Sequence, residues 1–405
     1  MEVKRRVCVV GLGYIGLPTA LMLAANGNHV IGADINEDII CSLTEGNLTF
    51  SEDGLHEIYD KAVENGIQFQ TDIPAADIYI IAVPTPYIKQ NKKIDSKYLE
   101  TAFGQVLGVC PDGAYIVVES TVPPGTIDTQ LRPMIRNKII HLVHAPERII
   151  PGSMCRELRY NNRVIGADDE LTAETIRSLY QTFCKGEIIT TDIATAEMSK
   201  VVENTYRDIN IAFANELTKI CRTAELDVYE VIRIANMHPR VNILSPGPGV
   251  GGHCISVDPW FLVGDYPGLA NIILAARKIN DSMPEYVLKR ISEIMALEDV
   301  LGPTQVGFYG LTYKEDVDDI RESPTLQMLE HMRTHLALPI KVYDPMLKKR
   351  VLSSQVMDFK EFLERCRMIV VLVGHRHMIE HQDMLEGKIV LDTKNVLTKV
   401  PAYHL

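Results

Sequence analysis

The sequence predicts an α/β chain: two Rossmann-like, doubly wound domains joined by a long central helix. Three observations predict it. Apolar runs of strand length alternate with helical patterns near both ends of the chain. A long stretch of helical character interrupts that rhythm in the middle. A glycine triplet, Gly11-x-Gly13-x-x-Gly16, sits where the first strand should turn into the first helix.

The totals agree with this class. At roughly 100–200 residues per domain, 405 residues make two or three domains. Hydrophobic residues are 46% and charged residues 23%, enough for buried cores under a polar surface. The net charge of −12 argues against nucleic acid or an anionic membrane as the main partner. No apolar run is long enough to span a bilayer. Lys4-Arg5-Arg6 before an apolar run imitates a signal peptide, but Gly11, Gly13 and Gly16 break that run. The eight cysteines are scattered, with no CxxC pair and no Cys/His cluster of zinc spacing. The expectation is a reducing cytoplasm, no disulfide framework and no metal.

Taken in order, RVCVVGL, HVIGAD, IYIIAVP and AYIVVES read as buried strands, with helical patterns over Pro18–Asn26 and Asn36–Glu45 between the first of them. IIHLVHAPER and RVIGA continue the parallel sheet to about Thr191. Asp192 can then cap a helix from near Ala194 to about Glu225. A second helical stretch runs from about Gly268 to Leu297. From Thr304 the α/β rhythm returns: QVGFYGLTY, a helix over Pro324–Leu336, then IKVYDP, MIVVLVG and KIVLDT. The two terminal units look alike in architecture, with no repeat visible in sequence.

The glycine triplet suits a dinucleotide. The first glycine permits the tight turn, the second lets a pyrophosphate approach the backbone, and the third lets helix and strand pack closely. The free N–H groups of the helix start complete the anion site. Asp34 ends the next strand, where an acid holds a ribose 2′-OH and favours NAD over NADP. A plain glycine turn is the competing explanation. Thr85 and Thr121 end two further strands, the edge at which open α/β sheets bind ligands, although proline-rich turns also end strands there.

Lys200, Asn204 and Arg207 fall at i, i+4 and i+7 of the central helix and share a face. A solvated polar face explains them equally simply. Glu203 and Asp208 lie off that stripe, and Lys200 with Asn204 is suited to donating hydrogen bonds to a developing oxyanion. The stretch PGPGVGGHCISVDPW surrounds Cys254 with glycines that permit positive φ and close approach of a substrate. A cysteine at a helix start near cations has a lowered pKa and becomes a nucleophile. The alternative is a buried structural thiol. Asp258 lies one helical turn on and could activate water. His253 has no metal-ligand partner in sequence and reads as structural. MHPRVN offers His238 and Arg240 to phosphate or sugar hydroxyls. Lys314 and Arg321, just past a strand of the last unit, could reach a second nucleotide, with surface charge as the plainer reading.

GLGYIGLPTA, STVPPGT, APER, the Lys200/Asn204 helix, PGPGVGGHCISVDPW and GLTYKEDVDDIRESP occur in one order over nearly the whole chain. Together they resemble the nucleotide-sugar 6-dehydrogenases, the group that includes UDP-glucose dehydrogenase. APERIIPG and ANMHPRVNILSPGPGVGGHC are similar to the branch that acts on UDP-N-acetyl-D-mannosamine. The resemblance implies oxidation of a sugar C6 from alcohol to carboxylate with two NAD consumed, through a Cys254 thiohemiacetal and thioester. It implies an NAD-binding domain at 1–191, a central helical dimerisation domain with the cysteine loop at 192–300, and a UDP-sugar-binding domain at 301–405. It implies catalytic roles for Cys254, Lys200, Asn204, Asp258 and Glu147. Arg148, Ile149, Lys200, Asn204, Arg207, His238, Arg240, Gly251 and Lys314 would contact the UDP-sugar. Gly11, Gly13, Tyr14, Ile15, Gly16, Asp34, Thr85, Thr121 and Arg321 would contact NAD. A homodimer or higher homo-oligomer is implied, with Arg240 able to reach a neighbouring site.

Three alternatives stay open on the sequence alone. The sugar is UDP-N-acetylglucosamine or UDP-glucose instead. The chain is a two-electron β-hydroxyacid dehydrogenase, which would need neither Cys254 nor a second Rossmann-like unit. Or it is a catalytically retired nucleotide-sugar-binding protein, a reading that predicts the loss of Cys254, Lys200, Asn204 or Asp258, all of which are present.

Overall fold

The computed structural model describes residues 5–334 and 340–405. Two compact units divide the chain, the boundary falling between Glu203 and Asn204 inside one long helix.

The N-terminal unit is built on an eight-stranded sheet in the order β3-β2-β1-β4-β5-β6-β7-β8. The strands are β1 (Arg6–Val10), β2 (His29–Ala33), β3 (Gln68–Gln70), β4 (Ile78–Ile81), β5 (Ala114–Val118), β6 (Ile140–His144), β7 (Arg163–Ala167) and β8 (Ile188–Thr191). Its helices are α1 (Gly16–Ala25), α2 (Glu37–Thr44), α3 (Leu55–Glu64), α4 (Lys97–Val109), α5 (Met154–Tyr160) and α6 (Glu170–Tyr180). β1 and β4 are apolar at every position from Val7 and from Ile78 and are buried throughout those runs, as strands covered on both faces must be. α1 buries nearly all its length against the same core.

All pairs in this sheet are parallel except β6–β7, which runs antiparallel with Val143 opposite Ala167. The expected all-parallel continuation fails here: the chain leaves β6, passes through the short α5 and enters β7 in the opposite direction. β3 and β8 are additional strands that the apolar pattern does not announce, since Gln68, Gln70, Thr190 and Thr191 are polar.

The C-terminal unit begins within α7 (Ile193–Thr223), whose first turn is capped by Asp192, accepting from the Thr195 N–H at 2.8 Å. α8 (Val228–Ala235), α9 (Asp258–Asp265), α10 (Asn271–Asp281) and α11 (Met283–Leu297) come next along the chain. The single helix expected from Gly268 to Leu297 is therefore two, parted at Ser282, because Pro284 occupies the first turn of the second.

A four-stranded parallel sheet in the order β10-β9-β11-β12 completes the unit, with β9 (Val306–Tyr309), β10 (Lys341–Tyr343), β11 (Met368–Val371) and β12 (Ile389–Asp392). α12 (Pro324–Thr334), α13 (Phe359–Glu364) and α14 (Arg376–Glu380) lie around it. The helix expected to reach Leu336 is described to Thr334, and positions 335 and 336 lie outside the described residues. Among the described residues no helix is long and apolar enough to cross a membrane.

Candidate active site

In the N-terminal unit the strand order reverses between β1 and β4, and ligands of open α/β sheets bind at such switch points. Gly11 turns the chain there at φ +91°, and a Cβ would meet the Ala82 carbonyl oxygen at 2.6 Å. A Cβ on Gly16 would stand 1.8 Å from the Gly11 oxygen. Gly13 differs: it is exposed, and a Cβ there would meet nothing within 4 Å. Two glycines are thus required by packing, while the middle one leaves space beside the backbone. Ile15, at the cap of α1, supplies no side-chain acceptor to the helix N–H groups. Asp34 is half-buried, and its carboxylate takes the Leu12 N–H at 2.7 Å and the Asn36 N–H at 2.9 Å. It therefore braces the glycine turn as well as facing its edge. Tyr14 stacks on Phe50 with centroids 4.5 Å apart. These features fit a bound dinucleotide.

The strand-end threonines meet. Thr85 donates to the Thr121 carbonyl at 2.7 Å. The loop after Thr121 is fastened to α7 by Glu197, whose carboxylate accepts from Ile127 at 2.9 Å and from Gly125. Burial pushes the Glu197 carboxyl up to about 7 despite those bonds. Sequence reasoning missed this residue, because a lone Glu in a helix carries no signal of its partner loop.

Glu147, the candidate from APER, is buried and accepts from the Arg148 N–H at 2.7 Å and from the Arg163 guanidinium. Arg163 also reaches Glu119, 3.1 Å away, and Glu119 takes the Tyr180 hydroxyl at 2.7 Å. Burial pushes Glu119 up to about 7, with Arg163 opposing. Arg148 pairs with Glu203 of α7 at 2.8 Å, and Ile149 packs at the edge of the core. Lys200 is buried on α7, and its charge joins burial in driving His144 down to about 3, so that this imidazole is neutral.

In the C-terminal unit, Asn204 comes one turn of α7 later and is also buried. Its amide donates to Asp258 at 2.5 Å. Arg207, expected on the same face, is exposed. The Cys254 carbonyl accepts from the Asp258 N–H at 2.8 Å, so the two residues occupy one helical turn leading into α9. The glycines before Cys254 are there for contact. A Cβ on Gly251 would fall 2.7 Å from both the Glu322 oxygen and the Tyr313 Cβ. Gly252 has φ +82° and donates to the Arg321 carbonyl at 2.9 Å. Arg321 itself grips the buried Asp319 with Nη2 at 2.6 Å. Lys314 lies half-buried in the same loop, its carbonyl taking the Thr312 hydroxyl at 3.0 Å. His238 and Arg240 are exposed on a loop clasped at its neck by Asn236 and Ile243.

The sheet of this unit reverses its order between β9 and β11. A cavity of about 30 Å³ lies at the carboxyl ends of those strands, between Pro248 and Gly249 of the cysteine loop, Thr312, Tyr313, Val373 and Lys394. A larger hollow of about 490 Å³, beside Arg5, Asp77 and Tyr115, lies at the amino ends of strands β1, β4 and β5, the end of an α/β sheet where ligands are not expected.

Family models describe all three segments. Residues 5–184 match the NAD binding domain of the UDP-glucose/GDP-mannose dehydrogenase family, 194–282 its central domain, and 307–399 its UDP binding domain. The chain belongs to that family. It is accordingly an NAD-dependent nucleotide-sugar dehydrogenase. A UDP-N-acetyl-D-mannosamine dehydrogenase of Methanocaldococcus jannaschii is 43% identical over 408 aligned positions, covering 98% of this chain and 94% of that protein. Among solved structures, the UDP-N-acetyl-mannosamine dehydrogenase Cap5O of Staphylococcus aureus has a TM-score of 0.88 at 40% identity, covering 98% of each chain. The enzyme of the same specificity from Pyrococcus horikoshii has a TM-score of 0.91 at 33% identity, covering 98% of each chain. Within a family so defined, Lys394 is a further residue that motif reading overlooked: its ammonium would lie 3.7 Å from a Cβ on Gly247, at the mouth of the cysteine loop.

Proposed function

We propose that the chain oxidises C6 of UDP-N-acetyl-D-mannosamine to the carboxylate, giving UDP-N-acetyl-D-mannosaminuronate. The placement of Asp258 one helical turn from Cys254, bonded to Asn204, carries the reading. The substrate is supported by the relatives from Methanocaldococcus jannaschii, Staphylococcus aureus and Pyrococcus horikoshii.

The glycine turn, Tyr14, Ile15, Asp34, Thr85, Thr121 and Arg321 hold the cofactor. NAD supplies the hydride acceptor, two equivalents per sugar. Cys254 explains why oxidation continues past the aldehyde. Its thiolate adds to the aldehyde carbon, and the alkoxide formed takes a proton, giving a thiohemiacetal that again carries a transferable hydrogen at C6. Loss of that hydride and of the hydroxyl proton leaves a thioester on sulfur. Water then adds, the C–S bond breaks, and carboxylate and thiol are released. The sum is alcohol, two NAD+ and water to carboxylate, two NADH and three protons. Lys200 and Asn204 donate to the oxyanions. Asp258 and Glu147 handle water and protons. Arg148, Ile149, Arg207, His238, Arg240, Gly251 and Lys314 bind the UDP-sugar.

The same reading divides the chain at 1–191, 192–300 and 301–405, and the family-model segments support it. It also makes the protein a cytoplasmic homodimer or higher homo-oligomer. Tyr206, Phe213 and Ile220 recur every seventh residue on α7, each about half exposed, a stripe suited to a second copy. A fully active monomer in light scattering would remove that part.

Substrate choice is tested by kcat/KM for NADH formation with UDP-N-acetylmannosamine, UDP-N-acetylglucosamine and UDP-glucose. The mannosamine sugar should lead. A lead for another sugar corrects the substrate, and no NADH from any of them contradicts the enzyme.

A further inference from the structure

Both ends of the cysteine loop hang on one buried polar chain. At the loop's entry, Gly247 donates its N–H to Asn215 Oδ1 at 2.9 Å. Asn215 Nδ2 donates to Asn280 Oδ1 at 2.8 Å, and Asn280 Nδ2 donates to Asp208 Oδ1 at 2.8 Å. Asp208 pairs with Arg277, whose Nη1 is 2.5 Å away. At the loop's exit, the same Nη1 reaches the carbonyl of Ile255, the residue after Cys254, at 3.4 Å. Nη2 is held by Asp281, and the guanidinium lies 5.9 Å from the Trp260 ring centroid.

Every link lies on α7 or α10, and Asp208, Asn215, Arg277 and Asn280 are all buried to 1% exposure or less. Burying an arginine and an aspartate brings little net stability, since desolvation offsets the attraction. The planar guanidinium does something an apolar side chain cannot: it holds two carboxylates and a backbone carbonyl at fixed angles. Asp208 also sits one turn beyond Asn204, the residue that holds Asp258. One helix thereby fixes Asp258 directly and the Cys254 backbone through Arg277.

We propose that Arg277, oriented by Asp208 and Asn280, is a positioning residue for the Cys254 thiol. The proposal rests on the nucleophilic role of Cys254 in the proposed function. Displacing a reacting atom by about 1 Å costs on the order of 100-fold in rate, so the tether acts on turnover and leaves the binding of both ligands intact.

The test compares wild type with Arg277→Lys, which keeps a cation beside Asp208 but lacks the fork, and with the double variant Asp208→Asn, Arg277→Met. The double variant removes both buried charges together and folds even if the lysine variant does not. Folding is verified by cooperative thermal unfolding. Four quantities are read on each: kcat with UDP-N-acetylmannosamine, KM for the sugar, KM for NAD+, and the rate of iodoacetamide alkylation at Cys254, located by peptide mass.

In the folded variants kcat should fall about 10- to 100-fold, with both KM values within about threefold of wild type. Alkylation should become faster as the loop loosens. Unchanged kcat and alkylation overturn the proposal. So does a parallel loss in kcat and both KM values, which marks a global structural role. Cys254→Ser is run alongside. If it retains turnover, the assignment of the thiol itself has failed. If it is inactive while both Arg277 variants behave as wild type, only the tether has failed.

Discussion

The two sheets contain the same joint, used differently. In the N-terminal unit the Gly11 N–H donates to the Ala33 carbonyl at 2.8 Å, and Asp34 takes the Leu12 N–H. In the C-terminal unit the Gly310 N–H donates to the Tyr343 carbonyl at 2.8 Å, and Asp344 takes the Leu311 N–H at 2.6 Å. Both glycines have positive φ, +91° and +97°. Gly-Leu-x-Tyr is thus a local repeat, Gly11–Tyr14 and Gly310–Tyr313, too short to stand out along the linear sequence. The two joints differ at the third residue of that repeat. The first has Gly13 open to solvent and enters α1 at once. The second puts the fully buried Thr312 at the equivalent position, and His375 stands 3.4 Å from Asp344. The open joint fits a dinucleotide, and the filled one holds a loop.

The sharpest way to break this comparison is at the glycines. Gly16→Ala should unfold the N-terminal unit, costing about 4 kcal/mol or more, because two backbones would collide. Gly13→Ala should leave thermal unfolding unchanged and raise the NAD KM about tenfold. Equal effects of the two substitutions on stability would contradict the division of labour.

The aspartates come next. Asp344→Ala strands the Leu311, Thr312 and Met346 N–H groups and should cost about 3 kcal/mol in a urea titration. Asp34→Ala strands two more exposed donors and should cost about 1 kcal/mol, with its main effect on the NAD KM.

A smaller effect is the opposite pH response of two sets of buried carboxyls, Glu197 and Glu119 in the N-terminal unit and Asp344 in the C-terminal unit. Burial raises Glu197 and Glu119 to about 7, so the stabilisation linked to their protonation is complete below about 4.5 and is lost as pH rises through 7. Burial also pushes Asp344 up, but bonds from His375 and from the Thr312 and Leu311 amides outweigh it and hold the carboxyl below its usual range. Its contribution is present above about 3.8 and is lost as pH falls below that. Thermal midpoints should therefore drop between pH 5 and 8, and Glu197→Gln should flatten that slope. The smallest change is Thr312→Gly, which should cost about 1 kcal/mol and leave the NAD KM unaltered.

Sequence carried the strands of both sheets, the glycine turn and the Cys254–Asp258 turn, because each rests on local pattern. It did not carry β3 or β8, whose apolar residues, Phe69 in the one and Ile188 and Ile189 in the other, are too few to make a strand pattern among polar neighbours. The antiparallel β6–β7 pair depends on how the chain returns, which no residue encodes. Nor could Glu197, Asp208 or Arg277 be read as site-building residues, since their partners lie 69 to 72 positions away in sequence. Asp208, read from sequence as lying off the Lys200 stripe, is instead buried one turn beyond Asn204, where it pairs with Arg277.

The central claim is that one thiol carries the second oxidation. The direct measurement is NADH released per molecule of limiting UDP-N-acetylmannosamine, for wild type and for Cys254→Ala. Two are expected from wild type and no more than one from the variant. Two from Cys254→Ala, or one from wild type, would contradict the claim.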